Sequence, residues 1–257
     1  MPLPVAICGA SGRVGRRLVA LVADSPDLAL AAAVVSPGSR HLGADAGGGV
    51  VFADRLPADR DVGCVVDFSS PAGTLALLPP CVARGIPVVV ATTGFEPHQR
   101  DEVLAAAQHT AVLVSPNTSL VVNLLFQLTR TAARVLAGKP FDVEIVERHH
   151  RLKKDAPSGT AARFADLVRA EMGQTEVVHG RHGLVGERPP TEIGVHAVRA
   201  GDNVGEHQII FSAVGETLEL VHKGTSRDSY ALGALAAARW LAGKPPGSYT
   251  MADVLGL

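Results

Sequence analysis

This chain is poor in sulfur, in aromatic rings and in charge of either sign. Its three cysteines, Cys8, Cys64 and Cys81, are odd in number and widely spaced, and they make no CxxC. That excludes a disulfide framework and a thiol-built zinc site, and no metal ligand set is expected. Cys8 and Cys64 lie inside apolar runs and read as small buried hydrophobes, which fits a reducing cytoplasm. Lys and Arg number 24 against 25 Asp and Glu, a formal net charge of -1, so nothing draws the whole molecule to nucleic acid or to an anionic membrane. Aromatic residues are 4% of the chain and are not interleaved with basic ones, which argues against a nucleic-acid surface. No apolar run approaches the ~18 to 20 residues of a membrane helix. The opening MPLPVAICG has no basic stretch ahead of an apolar one, so no signal peptide is expected and the expected location is cytoplasmic.

What the chain does have is apolar patterning. Its 257 residues are 47% hydrophobic, enough for one large domain or two small ones with a buried core. In the first half, apolar runs at residues 5–8, 28–35, 64–68, 87–91 and 111–115 read as strands. Helical patterns at 13–24, 72–84 and 96–109 fall among them. Continuous apolar strands separated by helices predict a parallel, doubly wound sheet. After about residue 119 the pattern changes. A long helix at 120–136 is followed by alternating strands at 142–148, 192–199, 206–213 and 217–222, interrupted by one clear helix at 160–172. A final apolar helix at 229–241 is expected to pack back on the first domain. Gly47-Gly48-Gly49 and Pro245-Pro246-Gly247 read as loops. The expected domains are 1–119 with 228–257, and 120–227.

GASGRVG, residues 9–15, follows the first strand and opens the first helix. Glycines there let the chain turn sharply and let a pyrophosphate approach the amides of a helix N-terminus, so the turn reads as dinucleotide-binding. Its spacing is GxxGxxG. The expected fold class is therefore α/β, a Rossmann-like doubly wound parallel sheet plus a second α+β domain with a mixed or open sheet. An acidic residue at the end of the second strand would hold the ribose of NAD. This strand ends Val34-Val35-Ser36-Pro37-Gly38-Ser39-Arg40 without a carboxylate. Ser36, Ser39, Arg40 and Arg13 would instead suit a 2′-phosphate, which favours NADPH over NADH; Arg40 also reads as a solvated loop charge. ATTG (91–94) and SPNTS (115–119) end two further strands and are expected to face the same crevice. SPNTS reads equally as a helix N-cap.

The stretch ERHHRLKKDAPSGTA, residues 147–161, gathers His149, His150, Arg151, Lys153 and Lys154 ahead of Pro157 and a Ser-Gly-Thr step. It reads as a strand to 148, a loop over 149–157, and a helix capped by Ser158 whose apolar face is Ala161, Phe164, Ala165, Val168 and Met172. Pro157 stops the helix from starting earlier, so the amides of Ser158, Gly159 and Thr160 are expected to stand open to an anion. Adjacent histidines on a strand point to opposite faces and seldom hold one metal ion. A solvated basic loop is the plainer alternative.

Together GASGRVG, ATTGF, SPNTSLVVN, ERHHRLKKDAPSGTA, RAGDNVGEH and HKGTSRDSYA resemble the 4-hydroxy-tetrahydrodipicolinate reductase (dihydrodipicolinate reductase) family, nearly end to end. The resemblance implies a dinucleotide-binding domain, a second domain that binds a small cyclic dicarboxylate and builds a homotetramer, and an NADPH- or NADH-dependent reduction. It implies that His149 is catalytic and that Lys153 donates a proton. His150, Ser158, Gly159 and Thr160 would hold substrate carboxylates. Cofactor contacts would come from Gly9, Ala10, Ser11, Gly12, Arg13 and Val14, from Val35, Ser36 and Arg40, from Ala91, Thr92 and Thr93, from Ser115, Pro116, Asn117 and Thr118, and from Arg227. Relatives often carry a charged residue where this chain has Val35 and Ser36, and some carry Phe or Met at the position of Thr118. A reductase of another amino-acid precursor and a non-catalytic dinucleotide-binding relative are the rival readings.

Overall fold

Val5, Ala6 and Ile7 are fully buried, and the strand that carries them lies in the middle of a sheet covered on both faces. The computed structural model describes residues 1–257 and divides them into two units, Met1–Leu120 with Asp228–Leu257, and Val121–Arg227. In chain order the elements begin with β1 (Leu3–Cys8), α1 (Arg13–Ala23), β2 (Leu28–Val34), β3 (Asp45–Gly47), β4 (Val50–Ala53), β5 (Cys64–Asp67), α2 (Pro71–Arg84), β6 (Val88–Val90), α3 (Pro97–Ala105) and β7 (Ala111–Val114). They continue with α4 (Leu120–Leu136), β8 (Asp142–His149), α5 (Gly159–Met172), β9 (Glu176–Val178), β10 (Glu192–Arg199), β11 (Gly205–Ala213) and β12 (Glu216–Gly224). The chain closes with α6 (Asp228–Leu241), β13 (Gly247–Tyr249) and α7 (Met251–Leu255).

The first unit holds an eight-stranded sheet in the order β13-β7-β6-β5-β1-β2-β4-β3, parallel except for the β3–β4 pair. Leu18 and Val22 of α1 pack against one face together with Ala231, Ala234, Leu235 and Leu241 of α6. Leu77, Leu78 and Cys81 of α2 and Val103 of α3 pack on the other. The strand order reverses beside β1, where β2 lies on one side and β5 on the other. Ligands of open α/β sheets bind outside the carboxyl ends of strands at such a point. Three short strands were not foreseen. The Gly47 to Gly49 segment is not a plain loop: Gly47 closes β3, and Gly48 and Gly49, at φ +63° and +76°, turn the chain into β4. Gly247 likewise starts β13 and pairs with Ala111. DAG and GSY hold no apolar run that would mark β3 and β13 as strands, and β4 follows the glycine turn directly.

The second unit is built on a five-stranded mixed sheet, β12-β11-β8-β10-β9. β10 runs parallel to both β8 and β9, whereas β11 is antiparallel to β8 and β12. One face is covered by α4 and α5, with Leu125, Phe164, Ala165 and Val168 packed on Val143, Ile145, Ile193, Ile209 and Phe211. On the opposite face Glu144 accepts hydrogen bonds from Arg181, Arg188 and His196. Burial would raise the Glu144 pKa, but these donors hold it at about 2. β8 runs one residue beyond its expected end, so His149 is a strand residue and not part of the loop. The short strand β9 was also missed.

Candidate active site

Gly9 adopts φ +72°, and a Cβ on it would stand 2.3 Å from the Phe68 carbonyl oxygen. The turns that follow β1 and β5 therefore touch, and only glycine fits between them. A Cβ on Gly15 would meet the Gly9 carbonyl oxygen at 2.1 Å, so this glycine lets α1 close onto the turn. Gly12 is the N-cap of α1, has no side-chain cap and is exposed. The helix thus begins with bare amides, the arrangement that a pyrophosphate requires. Ser11 is half-buried and Arg13 is exposed at the same helix start. Ala10 is fully buried and Val14 packs against the core, so both offer backbone rather than side chain to any ligand.

The neighbouring strand ends carry a buried polar cluster. Asp67 is fully buried at the end of β5 and accepts from the Ser69 amide at 3.0 Å, from the Thr92 hydroxyl at 3.0 Å, and from Thr74. Burial raises its pKa, and these donors oppose the rise. Thr92 is buried with its hydroxyl committed to Asp67, and Ala91 is also buried, whereas Thr93 is exposed. Ser115 is buried and donates to the Asn117 carbonyl at 2.7 Å, while the Asn117 side chain accepts from the Ser119 amide at 3.0 Å. Pro116 is exposed. Thr118 is 1% exposed, and its hydroxyl donates to the Tyr230 carbonyl at 2.7 Å. Its side chain serves the packing of α6 rather than offering a surface to a ring.

After β2, Val35 is buried and gives its amide to the Ala53 carbonyl, while Ser36 and Arg40 are exposed. Nε2 of His41 is approached by Arg16 at 3.3 Å and by Arg40 at 3.5 Å. Two guanidinium groups thus converge beside Ser39, whose hydroxyl accepts from the His41 amide. Arg16 was not foreseen. It directly follows the glycine motif, and its Nε donates to the Ser11 carbonyl at 2.9 Å.

The second unit carries the densest polar cluster. Val143, Ile145, Glu147 and His149 occupy alternate positions of β8 and are all buried, so the core-facing side of this strand ends in a carboxylate and an imidazole. Nδ1 of His149 lies 2.6 Å from Oε2 of Glu147. Arg199, which ends β10 opposite His149, grips Glu147 with both terminal nitrogens at 2.7 Å. Burial would raise the pKa of Glu147, but the hydrogen bonds from His149, Arg199 and the Ser158 amide bring it down to about 2. The carboxylate can therefore only accept, and Nδ1 is the ring nitrogen of His149 that faces it.

Ser158 caps α5, accepting from the Ala161 amide at 3.2 Å. Its own amide is not open to a ligand as expected, because it donates to Oε1 of Glu147 at 2.8 Å. Gly159 is exposed and Thr160 half-buried at the same helix start. Lys153 pairs with Asp155 at 2.9 Å and follows half-buried His150 in the loop. The His207 ring stands edge-on to His149 with centroids 5.4 Å apart, and its Nε2 lies 3.3 Å from the Ser158 hydroxyl. Arg227, half-buried, is the last residue of this unit. No group of three or more His, Cys, Asp or Glu is placed to hold a metal ion.

Residues 3–118 match the family model described as dihydrodipicolinate reductase, N-terminus, and residues 121–255 match the one described as dihydrodipicolinate reductase, C-terminus. The chain belongs to the dihydrodipicolinate reductase family. It is 45% identical to the 4-hydroxy-tetrahydrodipicolinate reductase of Anaeromyxobacter dehalogenans, over 98% of this chain and 97% of that protein. It is 47% identical to that of Hahella chejuensis, over 98% of both. Among solved structures, the dipicolinate-bound dihydrodipicolinate reductase from Paenisporosarcina sp. TG-14 shares the fold, with a TM-score of 0.81 at 24% identity, covering 98% of this chain and 99% of that one. A diaminopimelate dehydrogenase of C. glutamicum aligns with a TM-score of 0.57 at 16% identity over 97% of this chain and 92% of that one.

Within this dihydrodipicolinate reductase fold, sequence reasoning overlooked Glu147, Arg199 and His207 as partners of the histidine cluster. One signal was available for Glu147. It continues the inward parity of Val143 and Ile145, and a charged residue at an inward position needs a partner.

Proposed function

We propose that this chain catalyses the reduction of 4-hydroxy-tetrahydrodipicolinate to tetrahydrodipicolinate with a nicotinamide dinucleotide, a step of lysine and diaminopimelate biosynthesis. The observation that carries the reading is the cluster on β8, its following loop and the start of α5. There His149, Lys153 and the Ser158-Gly159-Thr160 turn stand within one strand-loop-helix segment. The first unit is the dinucleotide-binding domain, and the second binds substrate.

The residues of the first unit fit a dinucleotide. The uncapped start of α1 at Gly12 and the glycine-only contact at Gly9 leave room for a pyrophosphate, with Ser11 and Arg13 beside it. Thr93, Pro116 and Asn117 stand at the neighbouring strand ends. Arg16 and Arg40 beside Ser36 and Ser39 favour NADPH over NADH, because a 2′-phosphate is recognised best by guanidinium groups. Arg227 remains a proposed contact on the strength of the family resemblance. When bound, the nicotinamide supplies hydride to C4 of the ring after water has left.

The chain's own part is to hold the dicarboxylate and to deliver a proton. The Lys153 ammonium is the proton donor, oriented by its ion pair with Asp155. Positioned acid catalysis of this kind contributes about 10² to 10⁴-fold. His149 presents Nε2 to the substrate, because Nδ1 is tied to Glu147. His150, Gly159 and Thr160 hold carboxylate groups, and Ser158 shapes the turn on which two of them sit.

Assembly into a homotetramer is expected. It is supported by the edge strand β12, which leaves Leu218 and Val221 exposed, and by the exposed Val121, Leu124 and Leu128 of α4. Light scattering after gel filtration tests it. The cytoplasm is the proposed location, supported by three buried free thiols. The activity is tested by following NADPH and NADH oxidation with freshly made dihydrodipicolinate-synthase product. Absence of turnover with both nucleotides refutes the reading.

A further inference from the structure

Glu147 is fully buried, and the reaction scheme gives it no task. Asp67, the other fully buried carboxylate, lies in the first unit and takes its hydrogen bonds from the Ser69 amide, Thr74 of α2 and Thr92 after β6. Glu147 receives four hydrogen bonds from three separate segments. Oε2 takes Nδ1 of His149 and one terminal nitrogen of Arg199. Oε1 takes the other Arg199 nitrogen and the amide of Ser158. One side chain therefore sits between the imidazole of β8 and the first residue of the carboxylate-binding turn, eleven positions later in the chain.

The geometry has chemical consequences. An ionised carboxylate accepts only, so a contact of 2.6 Å places the proton of neutral His149 on Nδ1 and directs the Nε2 lone pair away from Glu147. The space at Nε2 is kept open by Gly205, where a Cβ would stand 2.9 Å away. His207, edge-on to the same ring, hydrogen-bonds Ser158 and so braces the second device that Glu147 holds. Arg199 also donates to the Asp155 carbonyl at 2.6 Å, and Asp155 pairs with Lys153. The imidazole, the helix start and the segment bearing the ammonium thus share one anchor.

We infer that Glu147 is a positioning residue that fixes His149 in its Nδ1–H tautomer and, through the same carboxylate, sets His149 against the start of α5. This rests on the reading of His149 as the imidazole that faces substrate. The carboxylate undergoes no chemistry and acts only through its neighbours.

Glu147→Gln tests this, since the amide keeps the shape but must turn an NH₂ group toward one Arg199 nitrogen and toward either His149 or the Ser158 amide. Facing His149, it forces the proton from Nδ1 to Nε2. The expected result is a fall in kcat of about 10²-fold or more, with KM for the dicarboxylate and Kd for NADPH within about threefold of wild type. ¹⁵N spectra of the histidine-labelled protein, with His149 assigned from a His149→Asn sample, are expected to show Nδ1–H in the wild type and Nε2–H in the variant. A Glu147→Gln enzyme that turns over within twofold of wild type per folded molecule overturns the inference, and so does a wild-type His149 found as Nε2–H. If the variant does not fold, the wild-type tautomer alone decides. A wild type that oxidises neither nucleotide sinks the functional reading, whereas an active wild type with an equally active variant sinks only the role of Glu147.

Discussion

Gly205 lies against the Nε2 edge of His149, close enough that a Cβ would stand 2.9 Å from that nitrogen. A methyl group there would push the ring away from its bond to Glu147. Gly205→Ala is expected to lower kcat by roughly 10 to 100-fold, in keeping with the sensitivity of catalysis to misplacements of about 1 Å. Steady-state rates normalised to the folded fraction from circular dichroism check this. A loss of folded protein with normal kcat per folded molecule would be the contrary result.

Lys153→Ala is expected to abolish turnover and leave the affinity for NADPH unchanged, because Lys153 belongs to the second unit and to the loop after β8. Nucleotide titration by fluorescence, beside the turnover assay, separates the two effects. Cofactor binding weakened as much as turnover would place Lys153 in the wrong site.

Arg16 and Arg40 converge on Nε2 of His41 at 3.3 and 3.5 Å. Arg40→Ala and Arg16→Ala are each expected to raise KM for NADPH by roughly tenfold, the size of a charged hydrogen bond to phosphate, and to leave KM for NADH unchanged. Equal effects on the two nucleotides would refute the assignment of these residues to a 2′-phosphate.

Acid should destabilise the second unit through His207. This residue is 3% exposed, and burial, with help from the imidazoles of His149 and His222, pushes its pKa down to about 3. Glu147 pulls the other way and Lys153 adds to the lowering. The unfolded chain takes up this proton near pH 6.5, the folded chain only near pH 3, so stability is full above 6.5 and falls as the pH drops through that window. The expected loss between pH 7 and pH 5 is about 2 kcal/mol from this group. Urea unfolding at both pH values should show a smaller difference in His207→Gln. An unchanged difference would mean that another group governs the slope.

The doubly wound sheet was legible because β1, β5, β6 and β7 are buried on both faces and their continuous apolar runs alternate with helical patterns. The cap at Ser158 and the core face of α5 were equally plain, since both follow from local chemistry. Contacts between residues distant in the chain were not legible. Thr118 reads as a strand-end hydroxyl facing a crevice, yet it bonds the carbonyl of Tyr230, 112 positions later. The Ser158 amide reads as open because its partner, Glu147, is eleven residues earlier on a different element. Arg199 reads as the last residue of an alternating strand, and only the parallel pairing of β10 with β8 brings it to Glu147.

The first unit is assembled from both ends of the chain. Its core needs Ala231, Ala234, Leu235 and Leu241 of α6, and its sheet gains its last strand when Gly247 to Tyr249 pair with β7. During synthesis, therefore, the second unit emerges whole while the first unit still lacks a helix layer and an edge strand. A nascent chain stopped near residue 227 would expose the apolar sheet face that α6 covers. The order of synthesis makes the first unit, whose chain begins first, the later of the two to be completed.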